Sequence, residues 1–112
     1  MTYTVIVHDR AISDIERNAQ WWADHHSSSQ ALRWYEAAFA VIYGLDTMPE
    51  RHGLSAENDS FPYEIRDLLF GLGPRPSYRA VFTIKDGEVH VLCVRRSSEA
   101  PLWPDDLEFP GA

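Results

Sequence analysis

Four arginines carry the most evident chemistry in this chain: Arg66, Arg79 and the adjacent pair Arg95-Arg96. Each falls on or beside one of three β-rich runs in the second half of the sequence. An arginine stays charged at any physiological pH, and its planar fork matches phosphate or carboxylate in two parallel hydrogen bonds. Arg66, Arg79 and Arg95 fixed together on a rigid sheet would hold a phosphodiester and stabilise charge developing on phosphorus as it is cleaved; Arg96 would extend the binding surface. The same four side chains can instead close ion pairs with Glu64, Asp67 or Glu88 on neighbouring strands. The two-residue period turns Arg79 away from the aromatic side of its strand, sets Arg95 with Val91 and Cys93, and sets Arg66 with Leu68 and Phe70. Strand register decides whether they converge, and the sequence leaves that open.

Other chemistries find little footing. The histidines at positions 8, 25, 26, 52 and 90 are scattered and lack metal-ligand spacing, so no metal site is expected. Gly71-Leu72-Gly73-Pro74 has neither the further glycines nor the following helix of a phosphate-cradling loop, and no cofactor is expected. Gly-x-Ser-x-Gly and His-Glu-x-x-His are absent. Cys93 sits in an apolar run and reads as a core residue.

The whole composition narrows the class further. A chain of 112 residues with 45% hydrophobic content supports one compact core. A single cysteine excludes an internal disulfide and suits a reducing cytoplasm. No apolar run reaches the ~20 residues of a membrane helix. The formal net charge of −7 is concentrated at one end, where residues 97–112 carry Glu99, Asp105, Asp106 and Glu108 without a single Lys or Arg. Such a balance does not suggest a dedicated nucleic-acid binder. Residues 1–96 are expected to form the domain, with 97–112 as an acidic, proline-containing tail.

The elements that must position the arginines follow from periodicity. Thr2 to His8 reads as a strand, with Asp9 as the expected cap of a helix over residues 10–25. Ile12, Ile15, Ala19 and Trp22 mark that helix's apolar stripe; Trp21 and Trp34 flank their stripes. After the break His25-His26-Ser27-Ser28-Ser29, in which a serine can cap, Leu32, Tyr35, Phe39, Ile42 and Leu45 mark a second helix that fades at Gly44 and Pro49. Residues 49–62 are turn-rich. Three strands follow at Tyr63 to Phe70, Tyr78 to Ile84 and Val89 to Arg95, the last two joined through Asp86-Gly87, the pair that a type I′ hairpin turn favours. The order β-α-α-β-β-β predicts an α+β fold, a two-helix hairpin on one face of a mostly antiparallel sheet whose other face stays partly open.

The ordered residues resemble the RelE/ParE superfamily of toxins. The likeness lies in Ala11-Ile12-x-Asp14-Ile15, Trp22 and the run Ala31-x-x-Trp34-Tyr35-x-x-x-Phe39-x-x-Ile42-x-x-Leu45-x-x-x-Pro49. It continues in Ile65-Arg66-x-Leu68, Gly71, Tyr78-Arg79-x-Val81-Phe82-x-Ile84 and Val89-x-Val91-x-x-Val94-Arg95-Arg96. The helical part is closer to the ParE branch. The resemblance implies the toxin half of a type II toxin–antitoxin pair, acting in the cytoplasm and neutralised by a cognate antitoxin protein. ParE-like members inhibit DNA gyrase; RelE-like members cleave messenger RNA on the ribosome with basic sheet residues, among which Arg79 and Arg66 would count here. Glu64 stands where ribonuclease members carry a further basic residue, Arg95-Arg96 runs into Ser97-Ser98-Glu99, and Trp103 is the nearest match to their final aromatic. The ParE-like reading is therefore the leading expectation. An RNA-cleaving toxin, or a degenerate member that keeps only antitoxin binding, stands beside it.

Overall fold

A computed structural model describes residues 2–107. Strand β1 (Thr4–Val7) leads into helix α1 (Asp9–His25), helix α2 (Ser28–Tyr43) follows, and three strands come last: β2 (Arg66–Phe70), β3 (Tyr78–Lys85) and β4 (Glu88–Arg96). The sheet order is β1-β4-β3-β2, with β1 parallel to β4 and the other pairs antiparallel. The α+β architecture expected from the order of elements is therefore the one observed.

Local sequence explains most boundaries. Ser27 caps α2 by accepting the Gln30 N–H at 3.1 Å. Asp86 and Gly87 both take positive φ, at 52° and 76°, as a type I′ turn requires between paired Lys85 and Glu88. The cap of α1 is His8 rather than Asp9, without a side-chain bond to the helix. Strand β2 starts at Arg66 rather than Tyr63, because the Ser55 and Ile65 backbones and the Asn58 side chain hold the preceding residues in a loop.

The helices cover one sheet face, and their buried stripes are rotated from those expected. Helix α2 buries Ala31, Trp34, Ala38 and Ile42, so Trp34 is central and Leu32 and Tyr35 are exposed. Both sets recur at steps of three and four, so periodicity alone could not choose between them. Small Ala31 and Ala38 let the helices approach, and Trp34 then fills the space against Phe70 and Tyr78.

Helix α1 likewise buries Ala11, Asp14, Ile15 and Asn18. The Asp14 carboxylate accepts the Val94 N–H at 3.0 Å. Pairing of β1 with β4 ends at Val7 opposite Val91, so the outer edge of β4 beyond that point has no strand beside it. Asp14 takes the place of the missing strand.

The opposite sheet face is closed as well, which corrects the expectation of a partly open one. Phe61, Ile65, Val81, Leu92, Cys93 and Leu102 form a second core there. A bulge makes it possible: Val81 pairs with Cys93 while Phe82 pairs with Val91, leaving Leu92 as the extra residue. Leu92 and Cys93 thus face the second core while Val91 faces the helices, and Arg95 shares a side with Cys93 but not with Val91. The segment after residue 96, expected as an acidic, proline-containing tail, supplies Leu102, which is 1% exposed. Glu108 and Pro110 lie outside the described residues.

Replacing Asp14 with Ala would orphan the buried Val94 N–H and two arginine partners. The expected loss is about 2–3 kcal/mol of stability by denaturant unfolding, with faster hydrogen exchange at the Val94 amide.

Candidate functional site

Strand register divides the four arginines between the two faces. Arg66 lies opposite Phe82 on the helix-covered side, near the sheet edge, and Arg96 lies opposite Tyr78 on the same side at the other edge. Arg79 lies between Leu69 and Arg95, and both arginines face the second core. Arg79 and Arg95 are brought together; Arg66 and Arg96 are not.

Each arginine already has an occupation. The Arg66 guanidinium donates to the backbone carbonyls of His52 at 2.6 Å and Glu50 at 3.2 Å, and it lies 3.7 Å from Glu64. It ties the loop after α2 to β2. The Arg95 guanidinium donates to the Ala100 carbonyl and lies 4.0 Å from Glu99, so it fixes the turn into the tail. The Arg96 guanidinium stacks 4.0 Å above the Trp21 ring.

Arg79 is the most constrained. Its side chain is 9% exposed and clamps the Glu57 carboxylate through both terminal nitrogens, while Nη1 also reaches Asp67 Oδ2 at 3.2 Å. Asp67 in turn accepts the Ser55 hydroxyl, and Glu57 Oε2 accepts the Leu102 N–H at 2.9 Å. One guanidinium thereby joins β3, β2, the loop at 55–60 and the tail. The bonds from Arg79 hold the Glu57 carboxyl down at about 2, and the two carboxylates push the Arg79 pKa above its ordinary value. Arg79 and Arg95 sit directly opposite, an arrangement that repels unless both charges are matched. Glu57 with Asp67, and Glu99, provide the match.

Of the expected ion-pair acids, Glu64 and Asp67 do meet arginines, whereas Glu88 meets His90 at 3.1 Å. Glu57 had no sequence signal, since it sits 22 residues before Arg79 in an irregular loop. Asp14 lay off the expected stripe of Ile12, Ile15, Ala19 and Trp22, and its burial follows from the rotation of α1.

One concavity adjoins this centre and another lies on the helical hairpin. The first, of about 470 Å³, opens between tail and sheet and is lined by Glu57, Asp67, Leu69, Arg79, Glu99 and Trp103. Its single guanidinium faces three carboxylates, a balance that disfavours an anionic substrate. The other, of about 330 Å³, runs between α1 and α2 and is lined by Ala19, Ala23, Ala31, Leu32 and Tyr35 with Glu16 and Gln20. Among the described residues no three His, Cys, Asp or Glu side chains gather at metal-binding distance. Burial pushes the Cys93 thiol up to about 12, far from a reactive thiolate.

A helical hairpin on one face of a sheet ordered β1-β4-β3-β2 is the architecture of the RelE/ParE superfamily of toxins. The profile of the family described as the ParE toxin of the type II toxin–antitoxin system parDE matches residues 5–101, and the chain belongs to that family. A solved chain from the structure described as the chromosomal ParDE toxin–antitoxin system of P. aeruginosa is similar, with a TM-score of 0.67 and 17% identity. The match covers 85% of this chain and 96% of that one, and at this identity it speaks to fold. No curated protein matches the chain.

The linkage has a definite sign. Glu57 has a folded pKa below its ordinary value near 4.5, so the stability it contributes is complete above that value and is lost as pH falls towards about 2. Unfolding midpoints should fall across that window, and Glu57→Gln should flatten the fall. Arg79→Ala leaves two partly buried carboxylates unmatched and should cost about 3 kcal/mol in denaturant unfolding.

Proposed function

We propose that this ParE-family toxin acts by binding a protein target such as DNA gyrase in the cytoplasm, and that a cognate antitoxin neutralises it by covering the helical hairpin. The observation that carries the binding mode is the occupation of Arg79. To clamp a phosphodiester, this arginine would have to leave Glu57 and Asp67, and doing so would release Leu102 and the tail from the sheet. A guanidinium whose loss loosens two segments is poorly suited to serve also as a phosphate clamp. The RNA-cleaving alternative therefore finds no support in the arginine geometry, and Arg66, Arg79, Arg95 and Arg96 are better read as a scaffold for binding surfaces.

The hairpin offers such a surface. Leu32, Tyr35 and Tyr43 are 57%, 37% and 53% exposed, and with partly buried Phe39 they line one side of α2 at steps of three and four. Large apolar side chains aligned beside a groove suit the apolar face of a partner helix. A folded protein seldom leaves such a row bare without a partner for it.

Expression of the chain alone should arrest growth with loss of DNA supercoiling and intact transcripts, and co-expression of the neighbouring antitoxin frame should relieve the arrest. Transcript cleavage with normal supercoiling would overturn the gyrase reading; growth without any arrest would leave only a degenerate, antitoxin-binding member. Leu32→Asp and Tyr35→Asp should keep the fold, since both side chains are exposed, yet weaken the antitoxin complex by roughly tenfold or more in a direct binding measurement. Unchanged affinity in both would remove the hairpin as the antitoxin surface.

A further inference from the structure

We propose that the seam between α1 and the end of β4 is a docking site for a carboxylate-rich segment of a protein partner. Although the chain is acidic, three of its nine arginines, Arg10, Arg17 and Arg96, lie along this seam. Arg10, Arg17 and Trp21 follow one another along one side of α1 at steps of seven and four, with Asp14 between the two arginines. Arg96 closes the seam from the end of β4, whereas Arg95 turns to the other sheet face and donates to the Ala100 carbonyl. Three guanidiniums thus lie along the seam with two carboxylates, Asp14 and Glu99, while Arg10 also donates to the Asp106 carbonyl. Asp14 is buried, contacts both Arg10 and Arg17, and is further used by the Val94 N–H, so it neutralises neither arginine fully.

The seam also has shape. A cleft of about 280 Å³ is lined by Arg17, Asn18, Trp21, Arg96 and Glu99. Trp21 serves as the platform. Arg96 lies 4.0 Å from its ring centre, and the exposed His25 stacks on the same indole with 4.5 Å between ring centroids. The cation–π contact holds the Arg96 guanidinium over the ring without using its N–H donors, which remain for an acceptor such as a carboxylate. Arg17, exposed and anchored at one nitrogen by Asp14, brings a second fork to the same cleft.

The cleft already holds a carboxylate of its own. Glu99 Oε2 accepts the Arg96 N–H at 2.7 Å, and its other oxygen lies 4.0 Å from Arg95. The tail thus places a carboxylate at the seam, held by a backbone N–H and not by the Arg17 or Arg96 guanidinium. A partner's Asp or Glu would join or displace it.

Two observations favour a protein segment over nucleic acid. The indole that could stack on a base is covered by Arg96 and His25. Beyond the seam the net charge of −7 repels an extended polyanion, whereas screening over roughly 8–10 Å lets a short acidic stretch feel mainly the local arginines. The inference rests on the reading of the chain as a binder of protein partners, but not on gyrase being one of them.

The test is a titration of the full chain with a short oligo-glutamate peptide, following the Trp21 indole N–H by NMR, alongside inorganic phosphate and a short single-stranded oligonucleotide. The peptide should shift Trp21 saturably and lose the effect with salt. Arg17→Gln and Arg96→Gln should each weaken it about threefold to tenfold, while Glu99→Gln should strengthen it, with unfolding curves confirming that the variants fold. No shift at Trp21, or a shift indifferent to all three substitutions, would overturn the proposal. Tighter binding of the oligonucleotide or phosphate than of the peptide would overturn it too, in favour of a phosphate site. Antitoxin complex formation by the same preparations keeps the two readings apart: an intact complex with no peptide binding removes the seam and leaves the toxin assignment standing.

Discussion

The contact of Arg79 with Glu57 and Asp67 is the constraint on which the second half of this molecule turns. A four-stranded sheet with helices on one side has an unprotected face, and here Ile65, Val81, Leu92 and Cys93 crowd that face with apolar surface. An irregular loop and an irregular tail cover it, the loop joined to β2 by one short antiparallel bridge between Leu54 and Arg66 and the tail held by the Ser97 N–H donating to the Ser77 carbonyl. The Arg79 guanidinium adds an attachment that joins loop and tail together from the centre of the sheet. It grips the loop through Glu57, which in turn receives the tail's Leu102 N–H, and it is itself steadied by Asp67 on the next strand. Desolvating three charges is expensive, and the arrangement survives because nearly every lone pair and donor in it is matched.

That attachment shapes what surfaces the protein has left for function. With one sheet face under helices and the other under loop and tail, the sheet offers no bare tract of cations. Outward-facing surfaces include the apolar row of Leu32, Tyr35 and Tyr43 on α2 and the arginine-lined seam beside Trp21. One is apolar and groove-like, the other charged and narrow, so they suit different parts of a partner, or different partners. Both are carried by helices that a well-packed core immobilises, which favours recognition without a large ordering cost.

The sequence disclosed the order of elements, the Asp86-Gly87 hairpin and the serine cap because each depends on neighbours in the chain. It misplaced the helix stripes because two overlapping sets of apolar residues fit the same period, and the choice between Trp34 and Tyr35 is made by Phe70 and Tyr78, some forty residues away. It placed Arg79 on the correct face but could not supply its partner, since Glu57 arrives from a loop without periodicity. The bulge at Leu92 was equally hidden. A one-residue insertion in register leaves no mark in a run where Val91, Leu92, Cys93 and Val94 are all apolar.

The most direct measurement is a double-mutant cycle between Arg79 and Glu57, with Arg79→Met, Glu57→Gln and the pair compared by denaturant unfolding. If the guanidinium is an attachment that joins loop and tail, the coupling should be about 2–3 kcal/mol, with either single substitution exposing the Leu102 amide to exchange. Additive losses, with the Leu102 amide still protected in both single variants, would contradict that role.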